Sequence, residues 1–293
     1  MNRTLLTTAV KRVVLVAMTA AVLASCNSGS TTKNGDNNGA NVDSACEAQS
    51  EDKVEVVRCD IPFAGEFSQV TSICSLDIYF TQGECRIMAE GPKSLVQLVK
   101  VSVDSGSLMI TYNSENNPSI NMFDKKGAKV TLYVSAPKLR IASTCGTGNF
   151  IAKGTIETED LSLGTLSSGN IEMDSVVCHG AFRYDGKNVG NAMFHYLKVD
   201  GDADFVASGD GNINAGVDIG GHVLINQNGS GRTILQGKAD NTEILAFGKS
   251  DVELNIETNN VEVSAYDDAN IVLAGSYKSR TVNQGKGAKV LFR

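Results

Sequence analysis

The run Asp200-Gly201-Asp202-Ala203-Asp204 sets a carboxylate at every second position, the donor spacing with which a calcium loop begins. It lacks the following Gly and the distal Glu of an EF-hand, so Asp200, Asp202 and Asp204 read more simply as a solvated acidic turn. Glu243 and Glu262 form a second acidic pair, 19 residues apart. They are weak calcium candidates that either share a cation or tolerate their repulsion in water. The three histidines, His179, His195 and His222, are spaced for neither a zinc set nor a catalytic triad. Ser208-Gly209-Asp210-Gly211 matches only part of the Gly-rich calcium nonapeptide. The chain holds no phosphate loop and no Gly-x-Ser-x-Gly elbow. Trp is absent, which leaves Tyr196, Tyr266 and Tyr277 as the rings on which a sugar would stack. No catalytic set and no metal site is expected.

What positions these groups is a repeat. Gly148-Asn149, Gly169-Asn170, Gly190-Asn191 and Gly211-Asn212 follow one another at intervals of 21 residues. The same place recurs at Arg232, Asp251, Asn270 and Lys289 after steps of 20, 19, 19 and 19, and Lys129 lies 20 before Asn149. A period of this length marks a solenoid. The residues after each marker are Val130, Phe150, Ile171, Ala192, Ile213, Thr233, Val252, Ile271 and Val290. Two further on stand Leu132, Ala152, Met173, Phe194, Ala215, Leu235, Leu254, Leu273 and Phe292. Both columns are apolar save one Thr, while the column between them is mixed, so these are strands with one buried face. A second strand precedes each marker, with Leu161 and Leu163, Phe182 and Tyr184, Val223 and Ile225, and Val261 and Val263 inward. A third, shorter strand follows, as at Val176-Val177 and Ile256 to Thr258.

The pattern predicts an all-β fold, a right-handed parallel β-helix of 19–21-residue coils stacked about 4.8 Å apart. Gly in the marker is expected to supply positive φ at the turns, and the Asn amides to hydrogen-bond from coil to coil. The outward column of the second strand then reads Ser162, Arg183, Asp204, Leu224, Glu243, Glu262 and Thr281, making Arg183–Asp204 and Glu243–Glu262 rung neighbours. At the C-terminal end Val272 and Leu291 are outward neighbours beside an open coil edge, a candidate surface for a partner or a second copy.

The N-terminus belongs to export. Arg3, Lys11 and Arg12 precede the apolar run Val13 to Leu23, which is too short to cross a bilayer as a helix. Leu23-Ala24-Ser25-Cys26 resembles the lipobox of bacterial lipoproteins, which implies cleavage before Cys26 and a covalent lipid on its thiol. Asn27 to Val42 has almost nothing to bury and reads as a tether. Asn27, where Asp would signal inner-membrane retention, favours the outer membrane of a Gram-negative cell, facing periplasm or surface. Residues 1–25 are thus a signal peptide and 26–50 a lipidated linker. The chain carries a formal charge of −7 and no basic block, which disfavours nucleic acid. Beyond Cys26 lie Cys46, Cys59, Cys74, Cys85, Cys145 and Cys178. Export permits disulfides, the first four being the more apt to bridge, whereas buried thiols are expected at Cys145 and Cys178.

Residues 51–112 read as an antiparallel β meander capping the solenoid, which occupies 113–293. A turn at Gln82-Gly83 would pair Phe80 with Cys85 and place Cys74 opposite Gly91, which disfavours a Cys74–Cys85 bridge. Phe67-Ser68-Gln69-Val70, Asp77 to Gly83, Gly106-Ser107-Leu108-Met109-Ile110 and the Ser-Gly-x-Gly turns resemble the head GIN family, the auto-transporter adhesin domain of bacterial lipoproteins. The resemblance runs from about Phe63 to the end and implies an exported β-helix with an adhesive role and no catalytic residues. The last coils depart from it, with Tyr266-Asp267-Asp268-Ala269 and Gly285-Lys286-Gly287-Ala288 in place of the Gly-rich turn. The expected function is a lipid-anchored, noncatalytic adhesin or scaffold that binds a protein or glycan. A polysaccharide-binding or polysaccharide-degrading β-helix is the alternative, favoured if carboxylates, cations and Tyr converge on one sheet.

Overall fold

In a computed structural model, residues 55–112 and 129–293 are described. The signal peptide, Cys26, the tether and Cys46 lie outside them. In chain order the strands are β1 (Val56–Asp60), β2 (Gln69–Ser72), β3 (Asp77–Gln82), β4 (Arg86–Pro92), β5 (Val99–Asp104), β6 (Ser107–Tyr112), β7 (Thr131–Ala136), β8 (Ile141–Thr144), β9 (Phe150–Thr158) and β10 (Leu161–Thr165). They continue with β11 (Ile171–Cys178), β12 (Phe182–Asn188), β13 (Ala192–Val199), β14 (Ala203–Gly209), β15 (Ile213–Gly229), β16 (Arg232–Gly248), β17 (Asp251–Ala265), β18 (Asn270–Gln284) and β19 (Lys289–Phe292). One turn of helix, α1 (Lys93–Val96), follows β4.

From β8 onward each strand pairs in parallel with its equivalent one coil away, which makes a β-solenoid. The apolar columns are the core: Phe150, Ile171, Ala192, Ile213, Val252 and Ile271 are buried in one, and Ala152, Met173, Phe194, Ala215, Leu235, Leu254 and Leu273 in the next. Thr233, the one polar member, is satisfied inside by a hydrogen bond to buried Gln227 Oε1 at 2.6 Å. Tyr184 reaches Thr165 Oγ1 at 3.0 Å in the same way, and burial pushes its phenol up to about 12.

The N-terminal region departs from a meander. β2 pairs in parallel with both β6 and β8, and β3 with both β7 and β9. The coil made by β2 and β3 is therefore a solenoid coil inserted between one that follows it in sequence and the remaining stack. Among the described residues, antiparallel pairing is confined to β1–β4, β4–β7 and β5–β6. The turn at Gln82-Gly83 closes no hairpin, because β7 lies between β3 and β4: Phe80 faces Val134, which faces Ile87. Ile78 and Phe80 are buried and extend the inward columns, and β3 has a parallel neighbour on each edge. For the same reason Leu132 and Val134, not Val130 and Leu132, continue the columns of Phe150 and Ala152 through Ile78 and Phe80. The marker position before Asn149 is held by Asp77, and Lys129 pairs with its carboxylate.

Marker glycines serve packing rather than turn conformation. Gly209 and Gly229 do adopt φ of +127° and +131°, but Gly169, Gly190 and Gly211 do not have positive φ. A Cβ on Gly211 would lie 2.2 Å from the carbonyl oxygen of Gly190, and one on Gly190 2.5 Å from that of Gly169. Such closeness accompanies a particular bond: the backbone N–H of Asn170, Asn191 and Asn212 donates to the side-chain Oδ1 of the preceding Asn at 2.9–3.2 Å. Each Nδ2 donates to that same oxygen at 2.9–3.0 Å. The series starts at Asp77 Oδ1, which accepts both donors of Asn149, and ends where Asn212 Oδ1 accepts the N–H of Arg232. Beyond it the marker N–H switches partner, from a side chain to a backbone carbonyl: Asp251 to Gly231, Asn270 to Ser250 and Lys289 to Ala269. Ser250, Ala269 and Ala288 there stand in place of Gly, buried.

The thiols also depart in part from expectation. Cys59, Cys74 and Cys85 are free, with Cys74 buried and pushed up to about 11 by desolvation. Cys178 is a buried thiol whose Sγ donates to the carbonyls of Glu159 and Ala181 at 3.2 and 3.3 Å, whereas Cys145 is only half-buried. The change of stacking chemistry yields a paired prediction. Gly211→Ala should cost about 1–3 kcal/mol by overpacking. Ser250→Ala, at the equivalent place, should be neutral or slightly stabilising, because its buried Oγ has no partner. Urea unfolding of both variants checks this, and equal losses would refute the switch.

Candidate functional site

The outward face of each strand holds the side chains that chemistry would need, and the stacking decides which of them meet. Residues one repeat apart stand about 4.8 Å from each other, so a charge in one coil is read by its equivalents above and below. Three such ladders account for most of the charged groups singled out from the sequence.

The first runs through the acidic loop. Asp200 Oδ2 is 2.9 Å from His179 Nδ1, and His179 Nε2 is 3.1 Å from Glu157 Oε1, so one imidazole bridges carboxylates from two neighbouring coils. Lys198 Nζ approaches Asp200 at 3.7 Å. Asp202 Oδ1 instead accepts the backbone N–H of His222 at 2.8 Å. Asp204 Oδ2 accepts from Arg183 at 3.3 Å, and Arg183 also reaches Asp185 at 3.5 Å. The three carboxylates thus turn to three different partners.

The second ladder carries Glu243 and Glu262, which are rung neighbours as the repeat requires. His222 Nε2 lies 3.4 Å from Glu243 Oε2 without forming a hydrogen bond. Beside them runs a shallow polar groove lined by His222, Asn241, Asn260, Ser279, Glu262 and Thr281. Asn260 Nδ2 donates to Asn241 Oδ1 at 2.6 Å, and Ser279 continues that row.

The third ladder was not legible as chemistry. Glu172, Asp174 and His195 present ligand-type atoms within 4.8 Å of one another. Lys153 Nζ stands among them, 3.4 Å from Glu172 and 3.2 Å from Asp174, so an ammonium already balances the carboxylates. The signal was the repeat itself, since Lys153, Asp174 and His195 lie 21 residues apart. At the C-terminal end Val272 pairs with Leu291, and Leu291 is 50% exposed while Val272 is half-buried. Tyr196 is exposed, Tyr266 stacks on Phe247 at 5.3 Å, and Tyr277 packs on Phe292.

These pairings shift titration in definite directions. Hydrogen bonding to Asp200, then to Glu157, raises His179 above its ordinary 6.5, and the bond from His179 holds Asp200 below its ordinary 3.8. The His179 contribution is complete below 6.5 and lost as pH rises through its higher folded value. The Asp200 contribution is complete above 3.8 and lost as pH falls through its lower folded value. The bridge is therefore strongest between those two ordinary values. An NMR titration of the His179 ring should show an elevated midpoint that falls in Asp200→Asn. An unmoved midpoint would show that the bridge is absent in solution.

A family model described as "putative auto-transporter adhesin, head GIN domain" matches residues 66–235. No curated protein sequence matches the chain. Among solved structures, a "putative adhesin" from Parabacteroides distasonis shares 15% identity, covers 82% of this chain and 97% of its own, and superposes with a TM-score of 0.64. One from Parabacteroides merdae has 16% identity, coverage of 82% and 96%, and a TM-score of 0.63. One from Bacteroides fragilis has 16% identity, coverage of 82% and 98%, and a TM-score of 0.57. These likenesses show the shared solenoid fold. The family match extends over more than half of the chain, from the β2–β3 coil into β16, and the chain belongs to the head GIN domain family of auto-transporter adhesin type.

Proposed function

We propose that this chain is a lipid-anchored, noncatalytic adhesin or scaffold of the bacterial cell envelope, carried on a lipid at Cys26 and held off the membrane by the segment that follows. Its address on this reading is the outer membrane. The observation that carries the noncatalytic part is the use of the reactive side chains. His179, His195 and His222 each approach a carboxylate of a neighbouring coil, and Arg183 joins Asp185 to Asp204 across one rung. General acid–base or nucleophilic work needs such groups converging on a common point with room for a substrate. Here they are spread along the stack and answer to one another, so they knit coils together. Exposed pairs of this kind contribute little individually, roughly 0–1 kcal/mol each.

Adhesion needs only a rigid surface held away from the membrane and a contact patch. The inward columns provide rigidity, because each coil buries apolar side chains against the next. The contact patch on this reading is the last described coil, where Val272 on β18 and Leu291 on β19 form an outward apolar pair. Two measurements test the proposal. Labelled fatty acid should be incorporated by the parent chain and not by Cys26→Ser, which should leave the membrane fraction. Protease added to intact cells should cleave the parent. Protection of the whole chain would exclude an adhesin, and equal labelling of Cys26→Ser would exclude the anchor.

A further inference from the structure

The C-terminal end of the solenoid differs from the rest in pairing, burial and charge together. β18 pairs with β17 over its whole length, but β19 covers only Asn270 to Leu273. From Ser276 to Gln284, β18 therefore has one neighbour among the described residues. The Gly285 N–H donates back to the Ala265 carbonyl. Strand alternation then turns the amides of Val282 and Gln284 toward the open side. The inward columns are also left partly exposed here among the described residues. Val263 is fully buried, yet its rung neighbour Val282 is 39% exposed, and the place of buried Val261 is taken by exposed Arg280. The Arg280 guanidinium folds over the Phe292 ring at 3.9 Å and donates to the Tyr277 hydroxyl at 2.9 Å, covering part of the exposed core.

Charge is segregated at the same place. The chain is net acidic, at −7, but after Asp268 it contains no Asp or Glu and carries Lys278, Arg280, Lys286, Lys289 and Arg293. Cations along an open edge discourage pairing with a second copy, because a copy brings the same charges to the same edge. They do not discourage a strand of opposite charge. Such an edge accepts an added strand through its backbone groups, with side chains setting which strand is admitted.

We propose that the β18 edge from Ser276 to Gln284 is a docking strip for an extended acidic peptide, which adds as a further strand over Val282 and places its carboxylates between Lys278 and Lys286. The proposal rests on the reading of the terminal coil as the contact end, and it names the partner's chemistry. Its test is a binding titration with purified full-length chain in neutral detergent. The probe is a fluorescein-labelled nonapeptide of alternating Glu and Val. Controls are the Lys-Val counterpart, an N-methylated Glu-Val peptide that cannot pair, polygalacturonate and phosphatidylglycerol vesicles.

The expected result is saturable binding of the Glu-Val peptide that weakens with salt, and none of its Lys-Val counterpart. N-methylation should weaken binding on the order of tenfold, as should Lys278→Glu. Val282→Pro should do the same while keeping the parent circular dichroism, since Pro is tolerated where an edge N–H faces solvent. Absence of Glu-Val binding overturns the proposal. So does equal binding of the N-methylated peptide, or polygalacturonate or vesicle binding as tight as that of the peptide, which would mean a general polyanion surface. A dimer in light scattering that excludes the peptide would assign the edge to a second copy and also overturn it. None of these failures touches surface display, which the protease experiment tests separately.

Discussion

From β8 onward each coil satisfies its backbone through the coil beside it, because there every strand pairs in parallel with its equivalent one coil away. That constraint shapes the side chains at each corner. Where a coil has 21 residues, the corner N–H meets the Oδ1 of an asparagine rather than a peptide carbonyl, and the backbones approach so closely that the preceding residue has no room for a Cβ. Where coils contract to 19 residues the corner N–H reaches a backbone carbonyl, and Ser or Ala replaces Gly. The Gly-Asn pair is thus one stacking device, and the residues that succeed it belong to another. The asparagine row has a direction: each amide oxygen accepts from the next coil, so the row begins on the acceptor-only carboxylate of Asp77.

Much of this was legible because solenoid register is set by counting. Once the period was known, the inward columns, the Arg183–Asp204 rung and the Glu243–Glu262 rung followed, and the strand register agrees with each. The failures share a cause. Counting assumes that spatial order follows chain order, and the β2–β3 coil breaks that assumption by lying between coils that come later. A local turn at Gln82-Gly83 has the sequence of a hairpin, but β7 lies between β3 and β4 and runs parallel to β3. Positive φ is the commoner reason for a glycine, whereas carbonyl contact one coil away leaves no trace in a single repeat. The cluster of Lys153, Glu172, Asp174 and His195 is no run within one segment; it forms only when one position is followed through three coils.

The surface has the same logic as the core. Histidines and carboxylates that would be reagents in an enzyme are here spaced by the repeat, so each finds its counterpart one coil away. A stacked protein that uses its polar groups for cohesion has its ends left over for recognition. The N-terminal end is covered by β1 and β4 in antiparallel pairing. The C-terminal end has, among the described residues, an unpaired β18 edge, an exposed Val282 and a basic charge set against an acidic chain. Family membership and an envelope role fit that division between a rigid body and one chemically distinct end.

Asparagine side chains carry the backbone stacking of the 21-residue coils. Residue-resolved hydrogen exchange measures it directly. The backbone amides of Asn170, Asn191 and Asn212 should exchange as slowly as those of the flanking strands, because each is bonded to a side-chain oxygen of the coil before it. Fast exchange at those three amides, beside protected neighbours at Ile171, Ala192 and Ile213, would contradict it.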